Sequence, residues 1–171
     1  IRGGNQHCCK ESLRIASWNV EGFTEAKYVE IIVAMQQEQI DIMCIQETHK
    51  QKSETYVTHD GYFVMLSSKD SDDKTFTGVG IIVSPWARRS IITYSLHSDR
   101  MCMMKFRCSG GKFAIISAYA PPQTPSHPLE ERQQFFRTLT NYWHSISCNG
   151  PKFIFGDLNS RIYSRDNGRW W

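Results

Sequence analysis

Asp157 and Asn159 follow the apolar run Phe153-Ile154-Phe155, within Gly156-Asp157-Leu158-Asn159, and set a carboxylate and a carboxamide two residues apart. Side chains alternate along an extended chain, so both face the same mouth of a sheet, where ligands of α/β proteins gather. Three earlier apolar runs also end in polar groups, at Trp18-Asn19, Gln46-Glu47 and Tyr119. The chemistry on offer is specific. A carboxylate such as Glu47 suits a hard divalent cation, Mg2+ or Mn2+. A second carboxylate can orient water, while a phenol and a carboxamide can donate to a negatively charged oxygen. An exposed Glu at a strand end is usually only solvated, and a Tyr before prolines is usually a packed ring. What lifts these residues above those readings is that Asn19, Glu47, Tyr119, Asp157 and Asn159 all close runs that one sheet system can bring together.

The elements that must position them are legible as changes of period. Residues 13–20 form a strand by their apolar and β-branched content, and residues 24–37 carry Tyr28, Ile31, Ile32 and Met35 at helical spacing. Residues 40–45 make a second buried strand, so the first third is a strand-helix-strand unit that favours parallel pairing. Strands follow at 62–66 and 79–83, separated by a charged loop at 67–77. Residues 101–108 alternate, with Cys102, Met104, Phe106 and Cys108 on one face and Lys105 and Arg107 on the other, which predicts a half-exposed antiparallel strand. Residues 113–119 are nearly all apolar and predict a central strand. Pro121, Pro122 and Pro125 forbid its continuation. A helix is expected from Pro128 at its first position to about Ile146, with Phe136, Leu139, Trp143 and Ile146 inward. Asn149-Gly150-Pro151 stops it before the last strand, 153–155.

With 171 residues and 40 % apolar content the chain suits one domain with an ordinary core, and its composition excludes disorder. No run approaches the length of a membrane span, and no targeting signal is visible, which leaves nuclear and cytoplasmic settings open. The six cysteines show no zinc spacing, and reduced thiols in an intracellular setting are expected; Cys102 and Cys108 lie too far apart along one strand to pair. The net charge is only +3, yet residues 132–171 hold six basic residues (Arg132, Arg137, Lys152, Arg161, Arg165, Arg169) against two acidic ones. A basic flank beside carboxylates fits a polyanionic substrate such as nucleic acid or a phosphate ester; it fits a plain solvated surface equally well. The start at Ile1 and the end at Trp170-Trp171 create the expectation of a piece of a longer product, with residues 1–12 as an N-terminal extension and 13–171 as the domain.

These residues resemble the endonuclease/exonuclease/phosphatase superfamily. Arg14-Ile15-Ala16-Ser17-Trp18-Asn19-Val20 is similar to its first-strand motif, Ile45-Gln46-Glu47-Thr48 to its metal-binding motif, Ser117-Ala118-Tyr119-Ala120-Pro121 to its catalytic-tyrosine strand, and Gly156-Asp157-Leu158-Asn159 to its signature tetrapeptide. The four stand in family order across residues 13–162. The resemblance implies an α/β fold, a deoxyribonuclease-like two-sheet sandwich whose second sheet is incomplete here. It also implies metal-dependent phosphodiester hydrolysis with Mg2+ or Mn2+. Glu47 would hold the cation, Asn19 would support it or its water, Asp157 would orient the attacking water, and Tyr119 and Asn159 would donate to oxygens of growing charge. Arg100, in Ser98-Asp99-Arg100, and Arg161 would meet phosphate or DNA; an ion pair is an equal use for Arg100. His49, His59, His97, His127 and His144 match no catalytic histidine of the family and receive no role.

Gly78-Val79-Gly80-Ile81-Ile82-Val83, Ser98-Asp99-Arg100-Met101 and the segment 116–122 look most like endonuclease domains of retrotransposons lacking long terminal repeats, which nick target DNA so that a reverse transcriptase can extend the freed end. Ser160-Arg161-Ile162 after the tetrapeptide is also similar to inositol polyphosphate 5-phosphatases, the alternative enzyme. A non-catalytic nucleic-acid-binding remnant is the third reading. The family pattern closes with a later Asp and a Ser-Asp-His that this sequence does not contain, which implies weak or absent turnover by the segment alone.

Overall fold

The computed structural model describes residues 12–160 apart from 71, 73–75 and 125–127. Two sheets form because apolar residues alternate along the strands with a partner for each face. The first sheet has the order β1-β2-β5-β4-β3, from β1 (Ile15–Asn19), β2 (Ile42–Gln46), β3 (Glu54–Val57), β4 (Phe63–Ser67) and β5 (Val79–Val83). The second has the order β6-β7-β8-β9, from β6 (Ile91–Ser98), β7 (Met101–Cys108), β8 (Gly111–Tyr119) and β9 (Lys152–Asp157). Each sheet is antiparallel except for one parallel pair, β1 with β2 and β8 with β9. The expected strand-helix-strand unit is therefore present.

Four layers result. Ile42 and Cys44 of β2 point into the space between the sheets, where they meet Cys102, Met104 and Phe106 of β7 and Ile115 of β8. Met43 and Ile45 point the other way, onto Ile31, Ile32 and Met35 of α1 (Glu25–Gln37). On the far side, Met101, Met103, Ala114 and Ile116 receive α2 (Leu129–Ser145). Both helices thus cover outer faces, and no helix among the described residues is long and apolar enough to cross a membrane.

α1 begins where Thr24 caps it, its hydroxyl accepting from the Lys27 amide at 3.2 Å. It ends in a Schellman turn: Gln39 sits at φ 54°, the Ile40 amide reaches the Met35 carbonyl at 2.8 Å, and the Gln39 amide reaches that of Gln36 at 3.3 Å. The turn drops Ile40 against the core and aims the chain into β2.

Three expectations are corrected. β7 is not half-exposed: Met101 to Met104 are buried on both faces, because α2 covers the side that Lys105 and Arg107 suggested was wet. The inner stripe of α2 is Phe135, Leu139, Tyr142 and Ile146, with Phe136 and Trp143 flanking it. Pro128 caps α2 rather than opening its first turn, and the helix ends at Ser145 with Ile146 as its cap. β3 and β6 were not anticipated. Cys102 and Cys108 are both free thiols, as expected.

Candidate active site

The two parallel pairs put four carboxyl-terminal strand ends at one mouth. In register, Asn19 stands beside Gln46 and Tyr119 beside Asp157, one pair in each sheet, and β1 and β2 pack against β9. Asn19 joins the halves. Its Nδ2 donates to Glu47 Oε1 at 2.8 Å and lies 3.4 Å from Asp157 Oδ2, bridging residues 138 apart in sequence. Its Oδ1 accepts from the Glu21 amide at 3.3 Å, which fixes the orientation of the carboxamide.

The loops that follow these strands are held in left-handed backbone. Glu21, Glu47, His49 and Asn159 have φ of 51°, 54°, 53° and 46°, a region that residues with a Cβ rarely occupy. Such residues persist only where the surroundings over-determine them, and they gather at functional sites. Asp157 Oδ1 accepts from the Asn159 amide at 2.9 Å, while Asn159 Nδ2 donates to the Ala120 carbonyl at 2.7 Å. Gly156 makes this approach possible: a Cβ there would stand 1.8 Å from the Ala118 carbonyl oxygen.

Tyr119 completes the floor. Burial first, and then its hydrogen bond and proximity to the Glu47 carboxylate, push its hydroxyl up to about 12. The phenol is therefore a proton-bearing donor at neutral pH. Arg100 lies over the Tyr119 ring at 5.3 Å and pairs with Glu131 of α2 at 3.8 Å, so the ion-pair use of Arg100 is present in the structure.

The structure gathers Asn19, Glu47, Tyr119, Asp157, Asn159 and Arg100; Arg161 lies outside the described residues. Three residues that the motifs did not single out also belong here. Gln46 is 1 % exposed and spans the sheets: it accepts from the Ser17 hydroxyl at 3.1 Å and donates to Ser117 Oγ at 3.2 Å, while Ser117 donates to the Ile45 carbonyl at 3.3 Å. Arg132 Nη2 donates to the Asn159 carbonyl at 3.0 Å and ties α2 to the signature loop. His49 Nε2 stands 3.6 Å from Glu47 Oε2. Gln46 at least carried a signal, since a polar residue that shares the inward face of Ile42 and Cys44 needs a polar partner.

The Glu47 and Asp157 carboxylates at one mouth, with the Tyr119 phenol and the Asn159 carboxamide beside them, fit a magnesium-type cation. Such ions take one or two protein carboxylates and complete their shell with water and substrate phosphate. Among the described residues no group of three or more His, Cys, Asp or Glu converges as a closed metal cage.

Known proteins agree with this architecture. A profile of the endonuclease/exonuclease/phosphatase family matches residues 16–171, so the chain belongs to that family, whose members are typically metal-dependent phosphoesterases and generally use Mg2+. The chain is 28 % identical over 163 residues to craniofacial development protein 2 of Bos taurus and 27 % identical to that of Tragulus javanicus, covering 93 % of this chain in each case. It spans about a quarter of the length of those relatives, 26 % and 27 %. Among solved structures it resembles an AP endonuclease from Archaeoglobus fulgidus, with a TM-score of 0.61 at 20 % identity over 90 % of this chain and 62 % of that one. It also resembles the human Nocturnin catalytic domain, with 0.59 at 16 % over 87 % and 64 %. A Neisseria 3′ phosphatase bound to a product DNA hairpin gives 0.61 at 18 % over 86 % and 58 %. The two-sheet α/β fold is that of these proteins.

Proposed function

We propose that this chain is a divalent-metal-dependent endonuclease domain that nicks DNA, of the kind that serves target-site cleavage in retrotransposons lacking long terminal repeats. One observation carries the reading: the Asn19 carboxamide lies between the Glu47 and Asp157 carboxylates at the shared mouth of both sheets. The motif resemblance supports the branch, and a structural neighbour bound to a DNA hairpin supports the substrate class.

Each side chain has a task that its geometry suits. Glu47 would hold Mg2+ or Mn2+, with one of its oxygens already accepting from Asn19. Asn19 serves the cation by fixing Glu47, since its nitrogen and not its oxygen faces the carboxylate. The bound cation supplies charge stabilisation at the phosphate and the leaving oxygen. Asp157, held by the Asn159 amide, orients water and receives its proton as the water attacks phosphorus; the P–O bond to the leaving 3′-oxygen breaks, and that oxygen takes a proton from solvent. The neutral Tyr119 hydroxyl, turning from Glu47, and the second amide proton of Asn159, whose first rests on the Ala120 carbonyl, donate to phosphate oxygens as their charge grows. Arg100, and Arg161 from the basic flank, hold neighbouring phosphates. In the whole protein a reverse transcriptase would extend the freed 3′-hydroxyl.

Magnesium-dependent nicking of supercoiled plasmid is expected to be weak or absent in the 171-residue chain and strong in a chain extended at its carboxyl end, where Glu47→Gln should slow it about 100-fold or more. Phosphate release from phosphoinositides without nicking would instead support the phosphatase reading. Salt-sensitive DNA binding with no metal-dependent cleavage would support a binding remnant.

A further inference from the structure

The segment Glu47-Thr48-His49 is held in an uncommon shape from both sides. Gly22 and Phe23 donate to the carbonyls of Glu47 and Thr48 at 2.8 Å each, while the amides of Thr48 and His49 donate to Gly78 and Thr77 at 3.1 and 2.8 Å. Gly78 makes room for this, since a Cβ there would stand 2.1 Å from Thr48 Oγ1. Both Glu47 and His49 are forced into left-handed backbone, whereas Thr48 between them is buried at 1 % exposure. The outcome is that two side chains two residues apart turn to one place. His49 Nε2 is buried there without a hydrogen-bond partner, 3.6 Å from Glu47 Oε2 and beyond hydrogen-bond length. The edge-on Phe76 ring packs against the imidazole with centroids 5.6 Å apart, and a Cβ at Gly22 would meet its Nδ1 at 3.5 Å.

A buried imidazole nitrogen with no partner calls for a reason. Two donors that each sit about 2.1 Å from a shared ion stand about 3.0 Å apart at a right angle and about 4.2 Å apart when opposed. The observed 3.6 Å falls inside that window. We infer that His49 Nε2 is a second protein ligand to the cation held by Glu47, and that it biases the site toward Mn2+ and later first-row ions over Mg2+. This rests on the reading of Glu47 as the cation's carboxylate. Imidazole is a poor donor to Mg2+, which prefers oxygen and water, and a better one to transition ions. The ion would then sit between the strand end and the loop after it, with the Asn19-bound oxygen turned away.

Titration of the chain with Mn2+, followed by pulsed electron paramagnetic resonance, tests this without reference to turnover. The expected result is a nitrogen coupling from a directly bound imidazole in the unaltered chain, lost in His49→Gln. Mn2+ affinity should fall about 10-fold or more, while Mg2+ affinity, measured by competition, falls less than about 3-fold. Absence of imidazole coupling in the unaltered chain would overturn the inference, and so would an equal loss of both ions in His49→Gln. The spectrum of the unaltered chain decides even if the variant folds poorly. Glu47→Gln separates the two levels. If it weakens both ions while no imidazole coupling is seen, only the role of His49 fails. If it leaves both affinities intact, the Glu47 site itself fails.

Discussion

At Tyr119 the surroundings set the state of one phenol. Burial and the Glu47 carboxylate raise its hydroxyl from 10.0 to about 12, and the Arg100 cation opposes this only in part. Because the folded state favours the proton, the stabilisation is complete below the unfolded value near 10 and is lost as pH climbs toward 12. Melting temperature should therefore fall across that alkaline window more steeply in the unaltered chain than in Tyr119→Phe; equal slopes would contradict the assignment. At neutral pH the same variant should slow nicking by about 100-fold, the usual loss for one donor to a developing oxyanion, measured as initial rates. Asn19, Glu47, Tyr119, Asp157 and Asn159, which the sequence disclosed, share one property: each closes an apolar run. Arg132 and His49 lacked that marker. Arg132 lies within the polar face of a helix, and its bond to the Asn159 carbonyl depends on how that helix is docked. His49 depends on a left-handed bend that no side-chain pattern encodes.

Among the elements, β9 shows how closely the mouth depends on backbone contact. Gly156 stands at φ 152° with the Ala118 carbonyl oxygen 1.8 Å from where a Cβ would be. Gly156→Ala must push β9 away from β8 just before Asp157. A loss of about 2–4 kcal/mol in urea unfolding is expected, together with loss of nicking; a variant as stable as the original chain would show that β9 can yield. Strands with a covered face were readable because one face repeats at every second residue. β3 was not, since all four of its residues are exposed, and β6 was not, since its register slips at two places and Ile92, Tyr94 and Leu96 stay exposed at the sheet edge. α2 offered two candidate stripes one position apart, as Phe135-Phe136 and Tyr142-Trp143 are adjacent pairs of aromatic residues. Only docking on β7 and β8 selects Phe135 and Tyr142.

For the whole molecule, the two-sheet sandwich was implied by the family resemblance of motifs spread from Asn19 to Asn159. The double covering of β7 was not, because it follows from where α2 lands. The depth of the central layer gives a direct test. Cys44 and Cys102 are 0 % exposed between the sheets, and burial raises both thiols above their ordinary range, so neither forms thiolate in the folded chain. Alkylation mapped by mass spectrometry should modify Cys108 and Cys148 first, with Cys44 and Cys102 slower by about 100-fold or more until denaturant is added; comparable rates would mean that the layers part readily. Hydrogen-bonded ladders run within each sheet and none crosses between them. Between the slabs stand the apolar filling, the Gln46 link to Ser117 and the Asn19 contact with Asp157, and at the rim the Gly78 amide donates to the Asp99 carbonyl and the Ser67 hydroxyl to that of Ser98. Asn19 and Glu47 ride on one slab and Tyr119, Asp157 and Asn159 on the other, so the thickness of the filling acts as the spacer that gauges the mouth, and under the proposed function the gap where phosphate would fit. Swapping one interior methionine for a slimmer residue, far from any reacting atom, would let the slabs settle and mistune turnover while the protein still melts as a single unit.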